Sequence, residues 1–150
     1  MDFEKTFTIL KPSTVARGMI GAILARIENK GLKIVAMKMT WVTQEKAEKL
    51  YAIHKGKPFY QDLVKFITSG PIVALVIEGD DSVKVMRILL GPTNSKEAEP
   101  GTIRGDFALS NQKNAAHSSD SAENAKCEMQ IFFAQDEIVT YKRADENWVY

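Results

Sequence analysis

Six consecutive apolar residues, Ile72 to Ile77, follow the breaker cluster Ser69-Gly70-Pro71 and precede the acidic Asp81. A run with no polar alternation fits a central strand covered on both faces. It is far shorter than the roughly 20 residues that span a bilayer. The chain is therefore organised around a buried strand, and the remaining segments must supply its neighbours and its cover.

Their apolar periods say what those segments are. Thr6 to Leu10 is β-branched and aromatic and reads as a strand. Ile20, Ile23, Leu24 and Ile27 recur at helical spacing, and Gly31 suits the end of that helix. Leu32 to Trp41 alternates, with Val35, Met37, Met39 and Trp41 on one side, and predicts a second strand. Thr43 starts a polar helix that turns Ala47, Leu50 and Tyr51 inward. After Pro58, the residues Leu63, Val64, Phe66 and Ile67 form a further short helix. Asp81-Ser82 can cap a helix in which Val83, Met86, Leu89 and Leu90 face inward. Asp120-Ser121 can cap a final helix with Ala125, Met129 and Phe132 on one stripe and Glu128 on the same side. The tail from Asp136 to Tyr150 is expected to dock on the body or on a neighbouring chain. This order predicts a single α/β domain over 1–150, a sandwich with helices over one face of a small sheet.

Between Gly91 and Lys113 no period is sustained. A structureless loop of this length is uncommon in a compact domain and is usually functional or disordered. Ile103, Phe107 and Leu109 offer anchors for it.

Composition narrows the function classes. At 150 residues the chain needs no disulfide or metal to hold a core, and its single Cys127 excludes both a disulfide framework and a multi-cysteine zinc site. Twenty basic and nineteen acidic residues leave a net charge of +1, so an anionic partner would have to meet a local patch. The charged start Met1-Asp2-Phe3-Glu4-Lys5 lacks the apolar core of a signal peptide, and a cytoplasmic location with no membrane association is expected. No Gly-x4-Gly-Lys-Ser/Thr, no Gly-x-Gly-x-x-Gly and no protein-kinase signature is present; Lys55-Gly56-Lys57-Pro58 lacks the phosphate-loop spacing and hydroxyl. Arg104-Gly105-Asp106 matches an adhesion tripeptide, which chance alone often produces. Nucleic acid is disfavoured as a partner, because the aromatic pattern of RNA-recognition strands is missing around Arg104 to Leu109.

His117 is the strongest candidate for chemistry. It lies among small residues, Asn114-Ala115-Ala116-His117-Ser118-Ser119-Asp120, which leave an imidazole accessible. A neutral imidazole can act as a nucleophile when a partner fixes the ring, and Glu128, one to two turns into the next helix, is placed to do so. His54 has no such surroundings and reads as a surface histidine. Lys11, Arg87 and Arg104 each sit at the edge of an expected element, and together they would hold a polyphosphate. Spacing alone does not bring them together.

The run Asn114 to Asp120 resembles the active-site signature of nucleoside diphosphate kinases, Asn-x-x-His-(small)-Ser-Asp. The resemblance extends along the chain. It takes in Thr8 to Pro12 with Lys11, the segment Lys57-Pro58-Phe59-Tyr60, and Ser69-Gly70-Pro71. It continues through Gly91-Pro92-Thr93-Asn94, Pro100 to Phe107 and the tail Trp148-Val149-Tyr150. Three positions depart from the family pattern: Ser118 where glycine is commonest, Ser13 where aspartate is usual and Pro92 where glutamate is frequent.

The resemblance implies a ferredoxin-like βαββαβ antiparallel sheet with added helices and a long loop before the histidine. It implies transfer of the γ-phosphate of a nucleoside triphosphate, mainly ATP, to a nucleoside diphosphate through a phosphohistidine at His117. Such an enzyme balances the pools of CTP, GTP, UTP and deoxynucleotides. The alternative is a domain that has kept nucleotide or nucleic-acid binding with catalysis secondary. By resemblance Glu128 and Ser119 hold the imidazole, and Lys11, Arg87, Arg104 and Thr93 bind phosphates. Phe59 stacks on the base, Asn114 and Lys11 reach the ribose, and Tyr51 lies beside the phosphates. Magnesium (Mg2+) bridges those phosphates, held mainly by phosphate oxygens and water. The family forms homo-oligomers; the tail through Tyr150 favours a hexamer, with a tetramer as the alternative.

Overall fold

The computed structural model describes residues 3–150; Met1 and Asp2, the first residues of the charged N-terminal stretch and of the 1–150 domain, lie outside the described residues. Four strands form one antiparallel sheet in the order β2-β3-β1-β4: β1 Phe3–Leu10, β2 Lys33–Thr40, β3 Ile72–Asp80 and β4 Ala116–Ser118. With helices between β1 and β2 and between β3 and β4, this is the ferredoxin-like arrangement. β1, β2 and β3 occupy the expected places, with β1 starting earlier than Thr6 and β3 running on past Ile77 to Asp80.

Cover is where the structure departs from the sequence reading. Helices lie over both faces, not one. Alternate residues of β1 and β3 feed two separate cores. Phe7, Ile9, Ile72, Ala74 and Val76 pack against α3 (Gln44–Leu50), α4 (Tyr60–Ile67) and α7 (Ala122–Phe132). Leu10, Val73, Leu75 and Ile77 pack against α2 (Ile20–Lys30), α5 (Ser82–Leu90) and α6 (Ile103–Phe107). That is why Ile72 to Ile77 needs no polar alternation. Burying both sides of this run contributes on the order of 1.5–3 kcal/mol for each large side chain.

Several local details differ from expectation. The alternation of β2 is broken by a bulge between Ile34 and Ala36. Val35 and Ala36 are both buried, whereas Met37, Met39 and Trp41 stand exposed. Asp81 does not cap α5 through its side chain; it takes a φ of +56°, and the Val83 amide donates to the Glu4 carboxylate at 3.0 Å instead. Of the expected loop anchors, Ile103 is fully buried and Phe107 partly so. Leu109 is 79% exposed, and Ala108 goes inward in its place. The long segment is not structureless, since it holds α6 and a helical turn at Ser95–Glu97. A five-residue helix α1 (Pro12–Ala16) follows β1, and α8 (Glu146–Val149) follows what was read as the final helix.

The tail docks on the body. Val139 N–H donates to Val35 O at 2.9 Å, Arg143 reaches the carbonyls of Glu28 and Leu32, and the Tyr150 hydroxyl accepts from Asp80 N–H at 3.2 Å. At Gly31, φ is +104° and a Cβ would lie 2.6 Å from Val149 Cγ1. Glycine there both ends α2 and leaves room for the tail.

Candidate active site

β4 is three residues long and pairs with the end of β1, His117 opposite Ile9. Strand alternation turns Ala116 and Ser118 into the core and leaves the His117 side chain 29% exposed on the other face. Immediately after β4, α7 begins with Ser121 as its cap, the hydroxyl accepting from Asn124 N–H. Ala125, Met129 and Phe132 bury one stripe of α7 against the sheet, and this anchoring aims Glu128 at the histidine. Glu128 Oε1 and Oε2 lie 2.7 and 3.1 Å from His117 Nε2. Ser119 N–H donates to Phe7 O at 3.0 Å, and its hydroxyl, 3.2 Å from Glu128 Oε2, is left to donate to the carboxylate.

This geometry sets the tautomer. A nitrogen facing a carboxylate carries the proton, so in the neutral ring the lone pair resides on Nδ1. Tyr51, which closes α3, is buried beside this pair. Burial, and then the charge of Glu128, push its hydroxyl up to about 12, so it stays protonated and is a donor.

The cations converge from separate elements onto residues 112–118. Lys11, just beyond β1, is 7% exposed; its Nζ donates to Asn114 Oδ1 at 2.6 Å and to Gln112 O at 3.2 Å. Burial, reinforced by Arg104, pulls its pKa down to about 7. Arg104 on α6 is equally buried and donates to three carbonyls, Gly91 O at 2.9 Å, Asn114 O at 3.1 Å and Ala116 O at 2.7 Å. Burial, with Arg87 adding to it, lowers its pKa to about 10. Arg87, in the last turn of α5, reaches Ser118 O at 3.2 Å. Among the described residues none of the three is ion-paired with a carboxylate. Their partners are neutral oxygens, so their charge is not cancelled locally and is available to an anion.

The backbone between cations and histidine is bent to suit. Ala115 has a φ of +76°, and Ala116 N–H donates back across it to Asn114 O at 3.0 Å, the pattern of a γ-turn. Its carbonyl accepts from Lys11 N–H and from the Thr14 hydroxyl, at 3.0 and 2.6 Å, which holds this strained residue in place. The Asn114 amide donates to Thr93 O and Asn111 O, at 3.0 and 3.1 Å, and ties two parts of the long segment together. Thr93 itself is exposed.

Phe59 stands at the N-terminus of α4, 46% exposed, with Lys57 Nζ 5.8 Å from its ring centre. His54 is not a remote surface residue. Its ring centre is 5.2 Å from that of Phe59 and 6.4 Å from that of Tyr51. Its pKa is lowered by burial, then by Lys57 and His117. The signal available in sequence was its position between Tyr51 and Phe59. The carbonyl acceptors of Gly91, Gln112 and Ala116 had none, because main-chain groups leave no mark on residue type.

The chain resembles known proteins over nearly its whole length. Residues 4–138 match the family model described as nucleoside diphosphate kinase. The nucleoside diphosphate kinase of Archaeoglobus fulgidus is 54% identical over 147 residues, covering 98% of this chain and 97% of the relative. Among solved structures, a halophilic nucleoside diphosphate kinase from Halobacterium salinarum in complex with CDP superposes with a TM-score of 0.96 at 44% identity, over 99% of each chain. A transition-state mimic of the Borrelia burgdorferi enzyme with vanadate and ADP gives 0.91 at 38% identity, over 96% of this chain and 95% of that one. With the histidine, its carboxylate and the unneutralised cations gathered on one such fold, the chain belongs to the nucleoside diphosphate kinase family and is a phosphotransferase.

Proposed function

We propose that His117 Nδ1 carries the phosphoryl group between a nucleoside triphosphate and a nucleoside diphosphate. The observation that carries this reading is the Nε2–Glu128 bond of 2.7 Å, which leaves the Nδ1 lone pair free, on a strand whose flanking carbonyls of Ala116 and Ser118 are held by Arg104 and Arg87. In the first half-reaction Nδ1 attacks the γ-phosphorus. The N–P bond forms as the bond to the bridging oxygen breaks, and the nucleoside diphosphate leaves with the electron pair. The phosphorylated ring keeps its Nε2 proton, and Glu128 offsets the positive charge that develops there. In the second half-reaction a terminal oxygen of the acceptor diphosphate attacks phosphorus and Nδ1 departs. Such a transfer depends on positioning and charge stabilisation more than on new covalent machinery.

Lys11, Arg87 and Arg104 bind the phosphates in this scheme, the Thr93 hydroxyl adds a hydrogen bond, and Ser119 steadies Glu128. Tyr51 donates towards the phosphates. Asn114 and Lys11 reach the ribose. Phe59 stacks on the base, and stacking tolerates every base because each has a π-face. The ligands of the two structural relatives, CDP and ADP with vanadate, support nucleotide substrates here.

Magnesium fits this site as a companion of the substrate. Apart from Glu128, which is taken up by His117, the side chains that converge are cationic or neutral. Among the described residues there is no cluster of three His, Cys, Asp or Glu side chains to ligate an ion. Phosphate oxygens and water would hold it, as is common for this hard cation, and its chemistry is to neutralise phosphate charge.

We further take the chain as one kinase domain that works in the cytosol as a homo-oligomer, a hexamer in preference to a tetramer. Among the described residues no helix is long and apolar enough to cross a membrane.

Incubation with γ-labelled ATP is expected to leave acid-labile, base-stable label on His117. His117→Gln abolishes label and lowers transfer by at least about 10⁴-fold. Label and turnover surviving in that variant would overturn the assignment.

A further inference from the structure

α6 is only five residues long, too short to hold itself in place, yet it carries Arg104. Asp106, two residues on, turns the other way. Its Oδ1 accepts from Gly101 N–H at 2.9 Å and its Oδ2 from Arg26 Nη2 at 2.6 Å. Arg26 belongs to α2, which is anchored by the fully buried Ile23 and Ile27. Its Nη1 donates to Gly101 O at 3.1 Å, and its guanidinium carbon sits 4.8 Å from the centre of the Phe107 ring. A single planar fork therefore holds the turn that enters α6, a carboxylate on it and the ring that ends it.

The turn has no slack of its own. Gly101 has a φ of +98°, the Thr102 hydroxyl donates to Glu99 O at 2.7 Å, and a Cβ on Gly105 would lie 1.9 Å from Glu99 O. A shift at Gly101 must therefore be passed to Arg104, which grips the carbonyl immediately before His117.

We propose that Arg26 is a positioning residue for phosphoryl transfer: through Asp106 and the Gly101 turn it fixes α6, and with it the guanidinium of Arg104. The inference rests on the reading of Arg104 as a phosphate ligand. Both partners of the ion pair are partly solvated, with side-chain exposures of 33% and 28%. Its contribution to global stability is therefore small, and its effect falls on orientation.

The test compares Arg26→Ala, Arg26→Lys, Asp106→Ala and the double Arg26→Ala/Asp106→Ala variant in the full chain, with Arg104→Ala as reference. KM and kcat are measured well below the melting temperature, and Tm alongside. Arg26→Ala is expected to raise the KM for nucleoside diphosphate about five- to tenfold, while kcat stays within about twofold. Tm is expected to fall by no more than roughly 2–4 °C. Arg26→Lys, which lacks the planar fork that spans Asp106 and Gly101 O and stacks on Phe107, is expected to restore Tm but only part of the KM. The double variant should match the worse single variant, because both act through one contact. An unchanged KM in Arg26→Ala while Arg104→Ala raises it would overturn the inference, as would strictly additive effects or a fall in Tm and kcat with KM constant. An unchanged KM in Arg104→Ala overturns the phosphate-binding reading itself, and the inference with it.

Discussion

The two halves of the site are built on opposite principles. Around His117, side chain meets side chain: a carboxylate grips one ring nitrogen and a hydroxyl steadies the carboxylate, all on β4, α7 and the short link between them. Around Lys11 and Arg104, side chain meets main chain, and the acceptors are carbonyls and one amide oxygen. The first half satisfies its polar groups internally and is concerned with direction. The second is held without counter-charge and is concerned with field. The lesson is that a nucleophile needs an acceptor that fixes its tautomer and direction, whereas a polyanion receptor must be held by groups that leave its charge intact.

If the first half is about direction, removing the charge of Glu128 while keeping its shape should be the larger blow. Glu128→Gln is expected to lower kcat by about 10²-fold or more, with little change in KM, as the amide no longer enforces the Nε2–H tautomer. Stopped-flow phosphorylation by ATP measures this directly. An equal loss in KM and none in kcat would mean that the carboxylate belongs to the binding half after all.

The second half can be sharpened through protons. Burial holds Lys11 near 7, so much of it is neutral in the free protein above that pH. A bound phosphate favours the ammonium, so nucleotide binding around pH 8 should take up a proton. Affinity should fall as pH rises above 7, by up to about tenfold per pH unit. Calorimetry in buffers of different ionisation enthalpy reads the uptake, and Lys11→Met should abolish it. Folding carries the matching sign. The unfolded lysine binds its proton up to its ordinary 10.5, so Lys11 lets stability rise with pH between about 7 and 10.5.

The smallest effect lies at the seam between the halves. Ala115→Gly removes the side chain from a φ of +76° and is expected to stabilise the fold by about 0.5–1 kcal/mol, with transfer unchanged within about twofold. Denaturant unfolding checks it. A marked loss of activity would mean that strain at this turn, and not only its shape, serves the site.

The two halves also differed in how far they could be read in advance. His117, the cap of α7 at Ser121 and the aim of Glu128 are local. They follow from one short strand and the helical stripe through Ala125, Met129 and Phe132. Lys11, Arg87 and Arg104 could be named from their places at element edges and from family resemblance, but their gathering could not be derived, because mostly main-chain oxygens hold them. Period likewise showed that α2 and α7 bury a stripe, and not which side of the sheet each stripe faces; hence the missing second layer of helices. In the aperiodic segment, apolarity alone chose Leu109 where geometry chose Ala108. His54 was passed over because its neighbours Tyr51 and Phe59 come together only when α3 and α4 fold against each other.

The doubly covered strand has a consequence for how this protein can change. Along most sheet strands every second position is free to drift, and tolerance to substitution alternates like the pleat. Between Ile72 and Ile77 there is no such forgiving parity, because odd and even positions answer to different interiors. Polar replacements there would be rejected without rhythm, and room for drift lies at places such as the edge strand β2, where Met37 and Met39 stand exposed.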